Sequence, residues 1–254
     1  MNRIGASLEL RHEKSLEEFI PLMAHLGFNH VEIKKDNDYV YGNKGLELLD
    51  EYGFTVSYHA PYNDFNLASI NEKTRYACVS QVVEMGESIQ EYGGWVNVHL
   101  GKTKNNYPDK VIRKAQENSE KSLKELSAAF ENMRASLCIE NDNPEAGVVK
   151  FGEKPSQLLH AVDAYGIKIT LDTGHANRAG NLKEFATLNC IEVLHLHDNL
   201  GDKDEHLALG DGNIEFVPLL ERMKICKRWI IEVKTIEDIV KSRDYLEEKG
   251  YKFY

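Results

Sequence analysis

Ser136-Leu137-Cys138-Ile139-Glu140-Asn141 is an apolar run that ends in an acid, and Trp229-Ile230-Ile231-Glu232-Val233 repeats that arrangement near the end of the chain. Short apolar runs rich in β-branched residues read as strands buried on both faces. A carboxylate in such a run needs a partner, because burying it alone is costly. Working outward, the same placement recurs: His59 closes a run at about 54–59, His99 stands near the end of 95–100, Asp172 ends 168–172, and His195 lies within 192–197. Two further runs, at about 4–10 and 30–35, bring the expected strands to about eight.

Apolar residues at three- and four-residue spacing predict amphipathic helices over Ser15–Leu26, Asn43–Tyr52, Asn71–Tyr92, Pro108–Ala135, Pro155–Tyr165, Val217–Lys224 and Ile236–Lys249. Glycines such as Gly27, Gly53 and Gly166 punctuate the passage from helix to strand. Alternating βα units leave an open doubly wound sheet or a closed (β/α)8 TIM barrel. An open sheet gathers its site at one switch point, whereas a barrel collects residues from the carboxyl ends of nearly all its strands. Ligand-type residues come from six successive strands here, which selects the barrel. With no linker or change of composition, residues 1–254 read as one domain.

The 254 residues are 42% hydrophobic and 28% charged, an ordinary globular balance, and a formal charge of −10 weighs against a broad basic surface for nucleic acid. Cys78, Cys138, Cys190 and Cys226 show no paired spacing, so a reducing, cytoplasmic setting is expected. The start, MNRIGASLEL, has no signal-peptide pattern, and no run approaches the roughly 18 apolar residues of a membrane span.

Glu140, Asp172, His195 and Glu232 are the expected ligands of one divalent cation, since imidazole and carboxylate suit such ions. His59 and His99 would complete a second site with Glu140 as a bridging carboxylate. Leu171-Asp172-Thr173-Gly174-His175 and Asp204-Glu205-His206 suggest a third cluster, formed by His175, Asp204 and His206. Each set also reads as buried polar groups satisfying one another. His12, His25, His30 and His160 are expected to be surface or helix residues.

Taken together, His59-Ala60-Pro61-Tyr62 with Asn66-Leu67-Ala68-Ser69, Glu140-Asn141, Leu171-Asp172-Thr173-Gly174-His175, His195-Leu196-His197-Asp198 and Gly210-Asp211-Gly212-Asn213-Ile214 resemble the motifs of the xylose-isomerase-like barrel superfamily. That superfamily includes sugar isomerases and epimerases as well as the endonuclease IV family of abasic-site nucleases. The resemblance implies that Glu140, Asp172, His195 and Glu232 form the shared divalent site. It implies that His59, His99, His175, Asp204 and His206 are the additional ligands of a three-zinc nuclease.

The preferred expectation is a metal-dependent sugar or sugar-phosphate isomerase or epimerase acting through an enediolate, with a zinc-dependent abasic-site phosphodiesterase as the alternative. Glu140 and Glu232 are the expected proton donor and acceptor and His175 a catalytic helper; His197 is a helper or a packing residue behind the ligands. Glu32, Tyr62, His197 and Lys102 are the expected substrate contacts, and Lys34, Lys35, Lys102 and Lys104 read as solvent-facing charge or as a hold on one sugar phosphate. One to three ions of zinc, manganese, magnesium or cobalt are the expected cofactor. The expected partner is a small sugar or sugar phosphate; nucleic acid enters only under the alternative, no membrane is involved, and a homo-oligomer is compatible with the reading.

Overall fold

A computed structural model describes residues 3–42, 45–226 and 228–253. Eight parallel strands close a barrel: β1 Arg3–Leu8, β2 His30–Lys34, β3 Thr55–His59, β4 Trp95–His99, β6 Ser136–Glu140, β8 Lys168–Asp172, β9 Ile191–Leu196 and β10 Arg228–Ile231. Their order around the barrel is β1-β10-β9-β8-β6-β4-β3-β2. Each expected strand is present. Two three-residue strands, β5 Lys102–Lys104 and β7 Val148–Lys150, pair antiparallel as a separate ribbon that the sequence pattern did not suggest.

The outer layer contains α1 Leu16–His25, α2 Lys35–Tyr41, α3 Leu48–Tyr52, α4 Glu72–Ile89, α5 Asp109–Phe130, α6 Pro155–Tyr165, α7 Thr173–Arg178, α8 Leu182–Phe185, α9 Phe216–Arg222 and α10 Ile236–Glu248. Local chemistry sets several ends. Ser15 accepts from the Glu18 N–H while Glu18 reaches back to Ser15, Asn71 caps α4, and Thr235 caps α10. The helix expected over 43–52 is confined to Leu48–Tyr52, with Asn43 and Lys44 outside the described residues. The short helices α2, α7 and α8 were not anticipated, having too few turns to show a period. Among the described residues no helix is long and apolar enough to cross a membrane. Cys78, Cys138, Cys190 and Cys226 are free thiols.

Alternation along the strands builds the barrel interior in layers. At the amino-terminal end, Trp95, Cys138, Val193 and Ile230 form a compact plug. His30 stacks on Trp95 with ring centroids 4.3 Å apart. This corrects the expectation that His30 is a surface or helix residue: it opens β2 and is fully buried. His12 is a helix residue as expected, ending a 3-10 turn over Leu10–His12, and it is buried with Nε2 3.0 Å from the Val233 carbonyl, just past β10. The much larger apolar core lies between the barrel and its helices, so the upper interior is left to polar side chains.

Candidate metal centre

The strand register raises the acids and imidazoles to one level at the carboxyl ends. His99 pairs across from Glu140, Asp172 from His195, and Lys34 from His59. Glu140 Oε2 lies 3.2 Å from His59 Nε2, 3.4 Å from His195 Nδ1 and 3.8 Å from His99 Nε2, and it also accepts from the Asn97 amide. Glu232 follows β10, held by its N–H donating to the Leu196 carbonyl at 3.0 Å, and its Oε2 is 2.8 Å from His195 Nδ1. Asp172 Oδ1 accepts from the His175 N–H at 2.7 Å, capping α7, and lies 3.0 Å from His197 Nε2. Gly174 is required beside that pair, because a Cβ there would fall 1.9 Å from the His197 ring.

His175, His197 and His206 converge on Asp204. Its Oδ2 is 3.2 Å from His175 Nε2 and 3.4 Å from His206 Nε2. Nδ1 of His175 is 2.9 Å from the Asn141 carbonyl, and Nδ1 of His206 is 2.9 Å from the Glu232 carbonyl, which leaves both Nε2 atoms facing the acid. His206 adopts φ +49°, a left-handed conformation uncommon for a side-chain-bearing residue, and its loop is fixed from below. The buried Asp198 carboxylate accepts the N–H groups of Asn199, Gly210, Gly212 and Ile214 at 2.9–3.1 Å. The Gly210-Asp211-Gly212 segment thus anchors the Asp204–His206 loop.

Tyr62 stands at the rim, 60% exposed, and Lys102 lies with its ammonium 5.0 Å from the Tyr62 ring centroid. Glu32 requires a correction as a sugar contact. It is fully buried, its Oε1 3.0 Å from His195 Nε2, while Glu140 and Glu232 meet Nδ1 on the other edge of that ring. Glu32 therefore lies behind His195, away from the mouth. Lys34 is not solvent-facing: its ammonium donates to Glu232 Oε1 at 2.7 Å. Sequence reasoning missed both pairings, and also Asp142, whose Oδ1 is 3.1 Å from His99 Nδ1.

The charge balance matches a cation site. Burial alone would raise Glu140 and Glu232, yet His195 and His99 on the first, and Lys34 and His195 on the second, hold both well below the carboxylate range. Burial opposes a charged His195, but Glu32, Glu140 and Glu232 hold its pKa well above the usual imidazole value. Asp172 and Asp204 raise His175 against burial in the same way, and His206 is pushed up to about 9, against burial, by its hydrogen bond to Asp204 and the charge of Glu232. Protons on imidazoles here balance a surplus of acid, which is the work a divalent cation does when it binds and releases them. Both ring nitrogens of His195, Oε2 of Glu232 and Oδ1 of Asp204 are buried without an aligned hydrogen bond, although ion-pair distances are short. The donor set and these orphaned atoms fit a divalent ion at Glu140, Asp172, His195 and Glu232. His59 with His99, and His175 with Asp204 and His206, supply further donor groups.

The chain belongs to the xylose isomerase-like TIM barrel family, whose sequence model matches residues 20–249. The uncharacterized protein MJ1311 of Methanocaldococcus jannaschii is 32% identical over 266 residues, spanning 97% of this chain and 88% of its own. The crystal structure of a D-tagatose 3-epimerase-like protein has a TM-score of 0.85 at 33% identity, covering 98% of this chain and 96% of the other. D-Allulose 3-epimerase from Methylomonas sp., crystallised with D-allulose, shares the fold with a TM-score of 0.75 at 15% identity, covering 99% and 98% of the two chains.

Proposed function

We propose that the protein is a divalent-metal-dependent isomerase or epimerase of a small sugar or sugar phosphate. The observation that carries this reading is the convergence of two buried carboxylates, Glu140 and Glu232, on His195 at a mouth cavity of about 400 Å³. That volume suits a monosaccharide. The similarity to a D-tagatose 3-epimerase-like protein supports the same substrate class.

A divalent cation held by Glu140, Asp172, His195 and Glu232 would supply Lewis acidity to a sugar carbonyl and its neighbouring hydroxyl. Inverting the adjacent carbon requires a proton to leave one face and another to arrive on the opposite face. Glu140 and Glu232 are the two acids available for those transfers. Lys34 keeps Glu232 ionised and in place, while Asn97 and His59 orient Glu140. Glu32 fixes the far edge of His195, and His175 borders the same cavity with its ring set between the Asn141 carbonyl and Asp204.

Incubation of the metal-loaded protein with ketoses and their phosphates in heavy water is expected to put deuterium on the carbon beside the carbonyl. No label and no isomerised product across the panel would overturn the reading. The group of His175, His197, Asp204 and His206 favours a second reading, a zinc phosphodiesterase acting on abasic-site DNA. Three tightly held zinc ions, with DNA nicking lost in His175→Ala and His206→Ala, would establish it.

A further inference from the structure

We propose that the mouth carries a phosphate-binding subsite built on Lys102 and Lys150, so that the substrate is a phosphorylated monosaccharide. This rests on the isomerase or epimerase reading for the sugar and adds the group by which that sugar is held. The antiparallel ribbon of β5 and β7 places Lys102 directly opposite Lys150. Residues in that relation share a face, with Cβ atoms about 4.5–5.5 Å apart, and like charges there are unfavourable. The two lysine stems therefore leave the ribbon on one side, and both line a depression at the mouth.

The ribbon is held firmly in place. Asn66 Oδ1 accepts the Lys102 N–H at 3.0 Å, and its amide donates to the Lys102 carbonyl at 2.9 Å, so one side chain clamps both backbone groups. Gly101 adopts φ +98°, and a Cβ there would meet the Ala68 nitrogen at 2.6 Å, so glycine permits this close approach. Lys150 is buried. Its ammonium donates to Asn143 Oδ1 at 2.8 Å, with Glu145 Oε2 at 3.4 Å and Asp142 Oδ1 at 4.0 Å.

Lys102 differs. Among the described residues no carboxylate lies within 4.0 Å of its ammonium, which instead faces the Tyr62 ring. Both lysines line a depression shared with His99, Asp142 and Tyr62, and Lys150 and Tyr62 continue into the cavity that contains Glu140 and Glu232. A sugar seated at the two glutamates would thus extend a terminal group toward the lysines. Glu145 and Asp142 already face the Lys150 ammonium, so the charge left without a carboxylate is that of Lys102. A neutral hydroxyl leaves it so, whereas a phosphate monoester, whose second pKa is about 6, brings up to two negative charges to it and three acceptor oxygens to the pair.

The test titrates the manganese-loaded full chain with D-ribulose and with D-ribulose 5-phosphate by calorimetry, alongside deuterium exchange in the same samples. The phosphate ester is expected to bind at least ~10-fold more tightly, the worth of one charge-assisted hydrogen bond. Lys102→Ala is expected to remove that preference, while Lys110→Ala, which removes the same charge from an exposed helix position, keeps it. Equal affinities, or a preference that survives Lys102→Ala, would overturn the subsite. A Lys102-dependent affinity for an abasic duplex with none for the ketose phosphate would overturn it as well. A Lys102-dependent preference without deuterium exchange supports the subsite and removes the epimerase reading; exchange with both ketoses at equal affinity does the reverse.

Discussion

His30 and His195 are both fully buried inside the same barrel, and their chemistry is opposite. Burial pushes His30 well below the usual imidazole value, and Arg3 and Arg228 push it further. His195 is raised well above that value despite equal burial, because Glu32, Glu140 and Glu232 surround it. The difference lies in where the charged residues stand on their strands. Arg3 and Arg228 open β1 and β10, whereas Glu140 and Asp172 close β6 and β8. The surroundings of the two imidazoles thereby differ, with guanidinium groups acting on His30 and carboxylates on His195. Burial alone yields a neutral imidazole; the neighbouring acids make the upper end a place for a cation.

The sharpest way to break that contrast is to remove an upper carboxylate. Glu140→Gln and Glu232→Gln are each expected to lower turnover by about 10²–10⁴-fold, the scale of a lost acid or base, while circular dichroism stays unchanged. Near-normal rates in both variants would remove the metal and proton-transfer roles together. Glu232→Gln has the further effect of leaving the Lys34 ammonium without its carboxylate.

A second change acts from behind the ring. Glu32→Gln is expected to weaken metal binding by about 10–100-fold, as the loss of an outer partner of a ligating imidazole does, with chelator competition as the readout. Unchanged affinity would show that Glu32 only fills space. Its misplacement in the sequence reading has a physical cause. Alternation tells which side of a strand a residue faces, so Glu32 was legible as inward-pointing; its height along the axis depends on how the strands are staggered, which no single strand records.

The clusters around Glu140, Asp172 and Glu232 were legible because each acid ends an apolar run. Lys34 was not, since its partner lies 198 residues away. The β5–β7 ribbon was equally hidden: three-residue strands carry no period, and their pairing joins distant loops.

Acidity offers a graded test of the upper end. His206 holds its proton up to about 9, above the ordinary 6.5. In metal-free protein that proton's contribution to stability is full below about 6.5 and is lost as pH rises through about 9. The depressed Glu140 and Glu232 contribute above the ordinary carboxylate pKa and lose that contribution only as pH falls through their lowered values, so they do not offset the loss at high pH. The melting temperature in chelator is therefore expected to fall between pH 7 and 9.5, while metal affinity rises over the same window because ligand protons no longer compete. A chelated protein whose melting temperature is flat or rising there would contradict the assignment.

The smallest effect on chemistry is expected at the lower end, where His30→Leu removes an imidazole without touching a carboxylate. His30 meets Thr55 Oγ1 at 2.7 Å and Ser57 Oγ at 2.9 Å, and Ser57 in turn donates to Glu32 Oε2 at 3.2 Å. The substitution leaves the buried Ser57 hydroxyl and the part-buried Thr55 hydroxyl each short of one partner and ends the stack on Trp95, at a cost of about 1–3 kcal/mol read by urea unfolding. Ser57 keeps Glu32 as its acceptor, so the position of Glu32 against His195 is preserved. Metal affinity and turnover are accordingly expected to match wild type once the protein is folded. If metal affinity instead fell with stability, the chain from His30 through Ser57 and Glu32 to His195 would transmit the change, and the two ends of the barrel would be one coupled system.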